Sequence, residues 1–291
     1  MSRKINAKKI RGLAIDLDGT TLLPDTTLGD RTTKILKKLI SDGMQIIIST
    51  GRAIQSSEIY LSAIGAEGPM VFYNGAIVCD VPSNKILSVS PVDIDVADFG
   101  IDLAREKNIH YQIYLDAGIS SVTGNIDPLI KGDTLLIDRQ SPEAETYKRH
   151  TGITPVITDL KKIISLPGLN GCIKSMIIAD SSLHDEIRGK MLERFGNRIN
   201  VIRSSQTFLE ILNAGVSKGE GLKIAMKHRG LTPDEVIAFG DEENDLSMFS
   251  AAGFAVTLSN AREKIREAAD LVIGSNADEG LAAYLEETFL S

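Results

Sequence analysis

Two stretches of alternating apolar strands and helices, one near each end of the chain, constrain the fold more than any other feature. In the first, apolar runs at 12–17 and 44–49 are followed by helical segments at 29–42 and 53–64. The second continues with predicted helices and strands at 218–229, 236–240, 243–251, 254–258, 260–268, 270–273 and 278–289. Continuous apolar strands separated by helices are typical of a parallel sheet covered on both faces. We therefore predict an α/β fold with a doubly wound, mostly parallel sheet.

The residues between these stretches follow a different pattern. Two apolar strands around Asn74-Gly75 predict a β-hairpin. Beyond it, the predicted strands are at 109–115, 119–123, 171–179 and 198–203, and the predicted helices at 95–107, 142–150 and 182–195. We predict a core domain formed by residues 1–83 and 206–291, interrupted by an inserted mixed α/β domain of residues 84–205.

The composition excludes several kinds of partner. The chain has 291 residues, 43% apolar and 24% charged, which is typical of a soluble globular protein large enough for two domains. Its net charge of −7 argues against nucleic acid or an anionic membrane as the main partner. No apolar run reaches membrane-spanning length, and the start of the chain is too short in apolar residues for a signal peptide. We expect a cytoplasmic protein.

Cysteines and histidines give no sign of a bridge or a zinc site. Cys79 and Cys172 are far apart, and a lone pair in such a chain is more often two buried thiols than a disulfide. The four histidines show no i, i+4 pairing.

Two carboxylates follow the first strand directly, in Asp16-Leu17-Asp18-Gly19-Thr20. Residues i and i+2 of an extended backbone project from the same face, so Asp16 and Asp18 point together beyond the strand end. Two acids so placed repel each other unless a cation or hydrogen-bond donors offset them. This arrangement suits metal-assisted nucleophilic chemistry.

Three other segments place polar residues at predicted strand ends or helix starts. Ser49-Thr50-Gly51-Arg52 combines hydroxyls with a helix start that favours phosphate, and Lys218 stands where the helix dipole disfavours a cation without an anion. Asp241 leaves another strand, with Asp245 one turn later. Taken alone, the Asp16 segment and each of these three segments have a purely structural explanation: in turn, an Asx turn, a helix cap, a surface lysine and an acidic helix start. Because the carboxyl ends of parallel strands share one sheet edge, together they predict a divalent-cation and phosphate site.

The sequence does not match the motifs of other common ligand-binding sites. A calcium loop starting at Asp16 would have Thr20, Thr21 and Thr27 at its fifth, sixth and twelfth positions. The chain contains no P-loop and no dinucleotide-binding glycine motif after a strand.

These segments resemble the four motifs of the haloacid dehalogenase superfamily, and more narrowly its Cof-type sugar-phosphatase branch with a type IIB cap between the second and third motifs. The matching segments are Asp16-Leu17-Asp18-Gly19-Thr20, Ser49-Thr50-Gly51-Arg52, Gly215-Val216-Ser217-Lys218-Gly219 and Gly240-Asp241-x-x-Asn244-Asp245. Thr21 and Gly221 depart from the usual leucine and alanine, which affects only local packing.

The resemblance implies a role for each site residue. Asp16 would be the nucleophile that forms an aspartyl-phosphate, and Asp18 the general acid and base. Mg²⁺ would be held by Asp16, the backbone carbonyl of Asp18 and Asp241, with Asn244 and Asp245 nearby, directly or through water. The transferring phosphate would be bound by Thr50, Gly51, Lys218 and Asn244.

The leading hypothesis is a Mg²⁺-dependent phosphatase that hydrolyses a small phosphomonoester, with a sugar phosphate as the favoured substrate. Two alternatives stay open: a phosphosugar mutase and a non-catalytic sugar-phosphate-binding protein. The residues that choose the substrate are expected in the inserted domain. Tyr114, Asp116 and Arg203 are candidates there, although a solvated surface position explains each of them at least as well.

Overall fold

The computed structural model describes residues 6–115, 134–169 and 171–291. Asp116 and the strand predicted at 119–123 lie outside the described residues. The chain forms two compact units. The described part of the first comprises residues 6–52, 57–88 and 217–291, and the second is drawn from residues 53–56 and 89–216.

The helices and strands follow the predicted alternation closely. In chain order, the described strands are β1 (Gly12–Ile15), β2 (Gln45–Ile48), β3 (Gly68–Phe72), β4 (Ile77–Val81), β5 (Lys85–Val89), β6 (Val92–Asp93), β7 (His110–Leu115), β8 (Thr134–Ile137), β9 (Val156–Ile157), β10 (Gly171–Cys172), β11 (Lys174–Ile178), β12 (Ile199–Arg203), β13 (Phe208–Asn213), β14 (Val236–Gly240), β15 (Phe254–Leu258) and β16 (Leu271–Ile273). The described helices are α1 (Asp30–Ser41), α2 (Ile54–Ile64), α3 (Ile94–Lys107), α4 (Pro142–Thr151), α5 (Leu160–Ile164), α6 (His184–Phe195), α7 (Lys218–Arg229), α8 (Leu246–Ala251), α9 (Glu263–Ala268) and α10 (Gly280–Phe289). None of these described helices has both the length and the apolar character needed to cross a membrane.

The first unit is built on a parallel five-stranded sheet of order β16-β15-β14-β1-β2. In its register Ile15 of β1 lies between Phe239 of β14 and Ile48 of β2. Every residue of β1, β14 and β15 is buried, as expected for strands covered on both faces. The predicted doubly wound parallel sheet is confirmed.

The strand order reverses between β1 and β14. From β1 the chain adds β2 on one side, and the later strands β14, β15 and β16 extend the sheet on the other side. In open α/β sheets, ligands bind beyond the carboxyl ends of the strands at such a reversal point. Asp16 and Asp241, which directly follow β1 and β14, therefore leave the sheet side by side.

The predicted hairpin forms, but with a longer connection than its Asn-Gly pair suggests. β3 and β4 are antiparallel with Phe72 opposite Ile77, so residues 73–76 make the turn. The amide of Tyr73 donates to the carbonyl oxygen of Arg52 at 3.0 Å, and that of Asn74 donates to the carbonyl oxygen of Thr50 at 3.0 Å. These two bonds tie the turn to the segment after β2, and this competing contact selects the four-residue loop.

The second unit contains a six-stranded sheet of order β12-β13-β11-β7-β8-β9. Its pairs are antiparallel except for β8 and β9. Alternate residues, including Ile113, Ile177 and Ile211, form a hydrophobic core with α3, α5 and α6. The predicted mixed α/β character of this part of the chain is confirmed.

The domain boundaries differ from the predicted ones at both crossings. Residues 84–88, predicted in the inserted domain, lie in the first unit, where β5 pairs with β4. At the second crossing, β13 is absent from the predicted elements, and the predicted core domain includes residues 206–216. In the structure β13 pairs with β11 and with β12, which places these residues in the second unit. The predicted strand 171–179 is also divided, because β10 pairs with β6 whereas β11 pairs with β7 and β13. Strand pairing between distant segments decides both outcomes.

Candidate active site

A buried lysine lies between two carboxylates at the reversal point of the sheet. The Asp16 amide donates to the carbonyl oxygen of Phe239 at 3.0 Å, which fixes the backbone of Asp16 at the end of β1. Nζ of Lys218, at the start of α7, lies 2.7 Å from Oδ1 of Asp16 and 2.7 Å from Oδ1 of Asp245. The Lys218 side chain is only 1% exposed. The anions that the sequence predicted beside this cation are thus present as carboxylates.

Three carboxylates converge here. Asp16, Asp241 and Asp245 each offer an oxygen within 4.8 Å of the other two. Oδ1 of Asp241 accepts a hydrogen bond from Oγ1 of Thr20 at 2.8 Å. Oδ2 of Asp245 accepts from the amides of Asp241 and Glu242, at 2.9 and 3.0 Å. Asp245 therefore uses both oxygens on protein donors, whereas Asp16 and Asp241 keep more capacity for another partner.

In this cluster three carboxylates share one ammonium group. Burial raises the pKa of Asp16 well above its ordinary range, against the opposing effect of Lys218. Burial, reinforced by Asp245, raises the pKa of Asp241 to about 7. Burial lowers the pKa of Lys218, but the attraction of Asp16 and Asp245 outweighs it, so its net shift is upward. One ammonium group serves three carboxylates, and a further cation would stabilise their ionised forms.

The donor set fits a hard divalent cation. The three converging carboxylates offer oxygen ligands, which magnesium prefers. Oε2 of Glu242 and Oδ1 of Asn244 are buried acceptors that have no hydrogen-bond partner within the described ranges. Such atoms are costly unless water or a cation satisfies them. Asp16 and Asp241 are the carboxylates best placed to hold the ion, with Asn244 and Asp245 beside them.

Asp18 is bound by Arg52, a residue for which the sequence pattern predicts no role of its own. Nε and Nη2 of Arg52 donate to Oδ2 and Oδ1 of Asp18, at 2.7 and 2.6 Å. The Arg52 side chain is 4% exposed and that of Asp18 is 37% exposed. A signal was available, because Arg52 stands just before α2, where the helix dipole disfavours a cation without an anion. Lys218 carries the same signal at the start of α7.

Three of the predicted phosphate-binding residues, Thr50, Gly51 and Asn244, lie around Asn74. Oγ1 of Thr50, a fully buried residue, accepts the Arg52 amide at 3.1 Å. A Cβ atom on Gly51 would lie 3.1 Å from Oδ1 of Asn74, and the same oxygen accepts from Nδ2 of Asn244 at 2.9 Å. Asn74, interpreted from the sequence mainly as a turn residue, thus brings Gly51 and Asn244 together.

Gly19 is required by the approach of the Asp241 side chain. Its φ is +73°, and a Cβ atom there would lie 2.1 Å from Oδ2 of Asp241. Its carbonyl oxygen accepts from Nδ2 of Asn260 at 2.9 Å. The glycine of the Asp-Gly-Thr segment therefore makes room for the second carboxylate of the cluster.

The two departures from the family pattern have local explanations. Oγ1 of Thr21 donates to the backbone carbonyl of Asp16, a bond that leucine cannot make. A Cβ atom on Gly221 would lie 2.5 Å from Cγ1 of Val71, so glycine permits close packing of α7 on β3. Thr21 thus helps to hold the Asp16 backbone.

Of the candidates for substrate choice, Tyr114 is 1% exposed, and its hydroxyl donates to that of Tyr147. A solvated surface position is therefore wrong for Tyr114. Arg203 is partly exposed, and its Nε donates to the carbonyl oxygen of Ser205 at 3.1 Å.

The parallel sheet and the buried carboxylate–lysine cluster at its reversal point define the class of protein: an α/β protein with a polar, charged site at the carboxyl ends of its strands. A family model for the haloacid dehalogenase-like hydrolases matches residues 13–285. The chain therefore belongs to this family, and the resemblance stated from the motifs is confirmed.

Individual relatives align with this chain over nearly its whole length. The HMP-PP phosphatase of Enterobacter sp. (strain 638) is 28% identical over 94% of this chain and 93% of the relative. The pyridoxal phosphate phosphatase of Escherichia coli (strain K12) is 26% identical over 94% of this chain and 97% of the relative. The crystal structure of a haloacid dehalogenase-like hydrolase from Bacteroides thetaiotaomicron matches with a TM-score of 0.81 and 24% identity, covering 96% of this chain and 100% of that one. This structural comparison shows that the two chains share a fold.

Proposed function

We propose that this phosphoric monoester hydrolase is Mg²⁺-dependent and releases phosphate from a small phosphorylated metabolite, with a sugar phosphate as the leading candidate. The observation that carries the proposal is the buried Lys218 beside Asp16 and Asp245, with Asp241 converging on the same point. A lysine and a carboxylate nucleophile so placed suit the transfer of a dianionic group.

The reaction has two steps. An oxygen of Asp16 attacks phosphorus while the bond from phosphorus to the ester oxygen breaks, and Asp18 gives its proton to that oxygen. Asp18 then takes a proton from water as the water oxygen attacks the aspartyl-phosphate. The bond from phosphorus to Asp16 breaks, and inorganic phosphate leaves.

The remaining groups bind and orient the phosphate. Because Oγ1 of Thr50 accepts the Arg52 amide, its own hydroxyl proton is available to a phosphoryl oxygen. Lys218 supplies positive charge at the buried end of the site. Both groups are held before the substrate arrives, which lowers the reorganisation that the reaction requires.

Mg²⁺ would be held by Asp16, the Asp18 backbone carbonyl and Asp241, with Asn244 and Asp245 beside them. When bound, it supplies charge stabilisation for the phosphoryl group and keeps the buried carboxylates ionised. The support for this assignment is the oxygen-only donor set and the shortage of positive charge in the cluster.

The second unit would choose the leaving group. Its support is indirect: the named relatives act on different phosphorylated metabolites, although they align over nearly the whole chain. We propose that the second unit serves as the cap domain and that substrate identity depends on its residues.

The test is the release of phosphate from p-nitrophenyl phosphate by the purified protein, with and without MgCl₂. We expect Mg²⁺-dependent turnover that Asp16→Asn abolishes and that Asp30→Asn, which alters an exposed carboxylate in the first turn of α1, leaves unchanged. No turnover, or equal turnover by Asp16→Asn, would refute the proposal. Product analysis with a hexose 1-phosphate separates a phosphatase, which releases phosphate, from a mutase, which returns an isomeric sugar phosphate.

A further inference from the structure

We propose that Arg52 is a positioning residue for the proton-transfer steps of Asp18, an inference that rests on the proposed function. The observation is the pair of short hydrogen bonds by which one guanidinium holds both oxygens of the predicted acid and base.

The geometry restricts the orientation of the Asp18 carboxylate. The two bonds, at 2.7 and 2.6 Å, join the planar fork of Arg52 to the two oxygens of Asp18. Bidentate pairs of this kind are stronger and more directional than a single contact. Because Asp18 is 37% exposed, this pair helps to restrain a carboxylate that solvent could otherwise reorient. When Asp18 is protonated, the oxygen without the proton can still accept from Arg52.

The guanidinium is itself held in place. Its carbon lies 5.2 Å from the centre of the Tyr60 ring, a distance typical of a cation–π contact. The Tyr60 hydroxyl donates to the carbonyl oxygen of Thr26 at 2.8 Å, which fixes the ring. The arginine is therefore the anchored member of the pair, and Asp18 is the member that faces solvent.

Arg52 also joins the acid and base to the predicted phosphate-binding segment. Its amide donates to Oγ1 of Thr50 while its side chain binds Asp18. One residue thus sets the position of Asp18 relative to the hydroxyl that receives the phosphate. A small displacement between such groups is sufficient to slow a reaction strongly.

The role can be tested with leaving groups that differ in their need for a proton. p-Nitrophenyl phosphate releases a weakly basic phenolate, which departs with little help from an acid, whereas phenyl phosphate releases a more basic one. General acid catalysis contributes about 10²- to 10⁴-fold where it is needed. We expect Arg52→Ala to lower kcat/KM for phenyl phosphate at least about tenfold more than for p-nitrophenyl phosphate, because only the former depends on a positioned acid.

The ratio of the two kcat/KM values does not depend on how much of the variant is folded, since both are measured on one sample. Arg52→Lys keeps the charge but loses the fork, and it should show an intermediate ratio. Arg31→Ala is the matched control, because Arg31 binds Glu286 through Nε and Nη2 at an exposed position of the same unit. Its ratio should equal that of the unaltered protein.

A double variant decides whether Arg52 acts through Asp18. If it does, adding Arg52→Ala to Asp18→Asn should change kcat/KM for phenyl phosphate by less than about twofold, since residues that act as a unit are not additive. Equal losses on both substrates, or additive losses in the double variant, would overturn the inference. If the unaltered protein hydrolyses neither ester, the proposed function fails as well; a positive p-nitrophenyl phosphate assay with an unchanged ratio overturns the Arg52 role alone.

Discussion

Nζ of Lys218 lies 2.7 Å from Oδ1 of Asp16, and both side chains are buried. The ammonium also contacts Asp245 at the same distance. Lys218 is thus the cation of a buried cluster whose other charged members are carboxylates. Its replacement should affect both folding and chemistry.

We expect Lys218→Met to lower the free energy of unfolding by about 3 kcal/mol, because removing one partner leaves buried carboxylates without their cation. Activity should fall about 10²- to 10³-fold, as on removal of one transition-state donor. Denaturant unfolding and p-nitrophenyl phosphate hydrolysis measure the two effects. Lys223→Met, which breaks an exposed pair with Glu220 on the same helix, should change neither markedly. Similar behaviour of the two variants would contradict the assigned role of Lys218.

Gly19→Ala should abolish most activity because its Cβ atom would displace the Asp241 carboxylate. Gly43→Ala provides a matched control: Gly43 has a φ of +94°, yet nothing lies within 4 Å of its Cβ position. Both variants incur a strain of about 1–2 kcal/mol from the left-handed backbone conformation. We therefore expect a loss of thermal stability in both variants, larger in Gly19→Ala because of the clash with Asp241, and a loss of kcat in Gly19→Ala only. Equal activity in both would show that the position of Asp241 is not critical.

Mg²⁺ should raise the melting temperature, since it would neutralise the converging carboxylates of the folded state only. At a concentration 100-fold above Kd, the stabilisation is about 2.7 kcal/mol. Thermal melts with MgCl₂, and after addition of a chelator, measure the effect. Asp241→Asn should reduce it, whereas Glu263→Gln, an exposed position on α9, should not. A shift of the same size in Asp241→Asn would exclude this residue as a ligand.

Acid should destabilise the second unit through His110. Burial lowers the pKa of His110 below 6.5. Its Nε2 lies 3.0 Å from Oε1 of Gln112 and its Nδ1 lies 2.9 Å from Oγ of Ser141, a pair of contacts that the neutral ring satisfies. Below about pH 6.5 the unfolded chain binds a proton that the folded protein does not, so the stabilisation present above this pH is lost as the pH falls.

His110→Gln should therefore flatten the dependence of unfolding free energy on pH between about 7 and 5, by at most about 1.4 kcal/mol per pH unit. Denaturant unfolding at several pH values measures this slope. The control is His228→Gln, which alters an exposed histidine on α7. An unchanged slope in His110→Gln would refute the assignment.

The elements of the parallel sheet were predictable because each is encoded locally. β14 and α7 have the predicted bounds, since an apolar run and a helical period are properties of a few adjacent residues. β13 and the break between β10 and β11 were not predictable in this way. Their limits depend on which distant strand each segment pairs with.

The sequence by itself determined which polar residues follow the core strands, and hence that Asp16, Asp241 and the hydroxyl of Thr50 could meet at one sheet edge. Only the tertiary structure decided their partners. It placed Lys218 between Asp16 and Asp245, joined Arg52 to Asp18, and set Asn74 against Asn244. The physical reason is that a strand's residue pattern fixes where its side chains leave the sheet, whereas ion pairs and hydrogen bonds depend on strand order and on loops packed from distant parts of the chain.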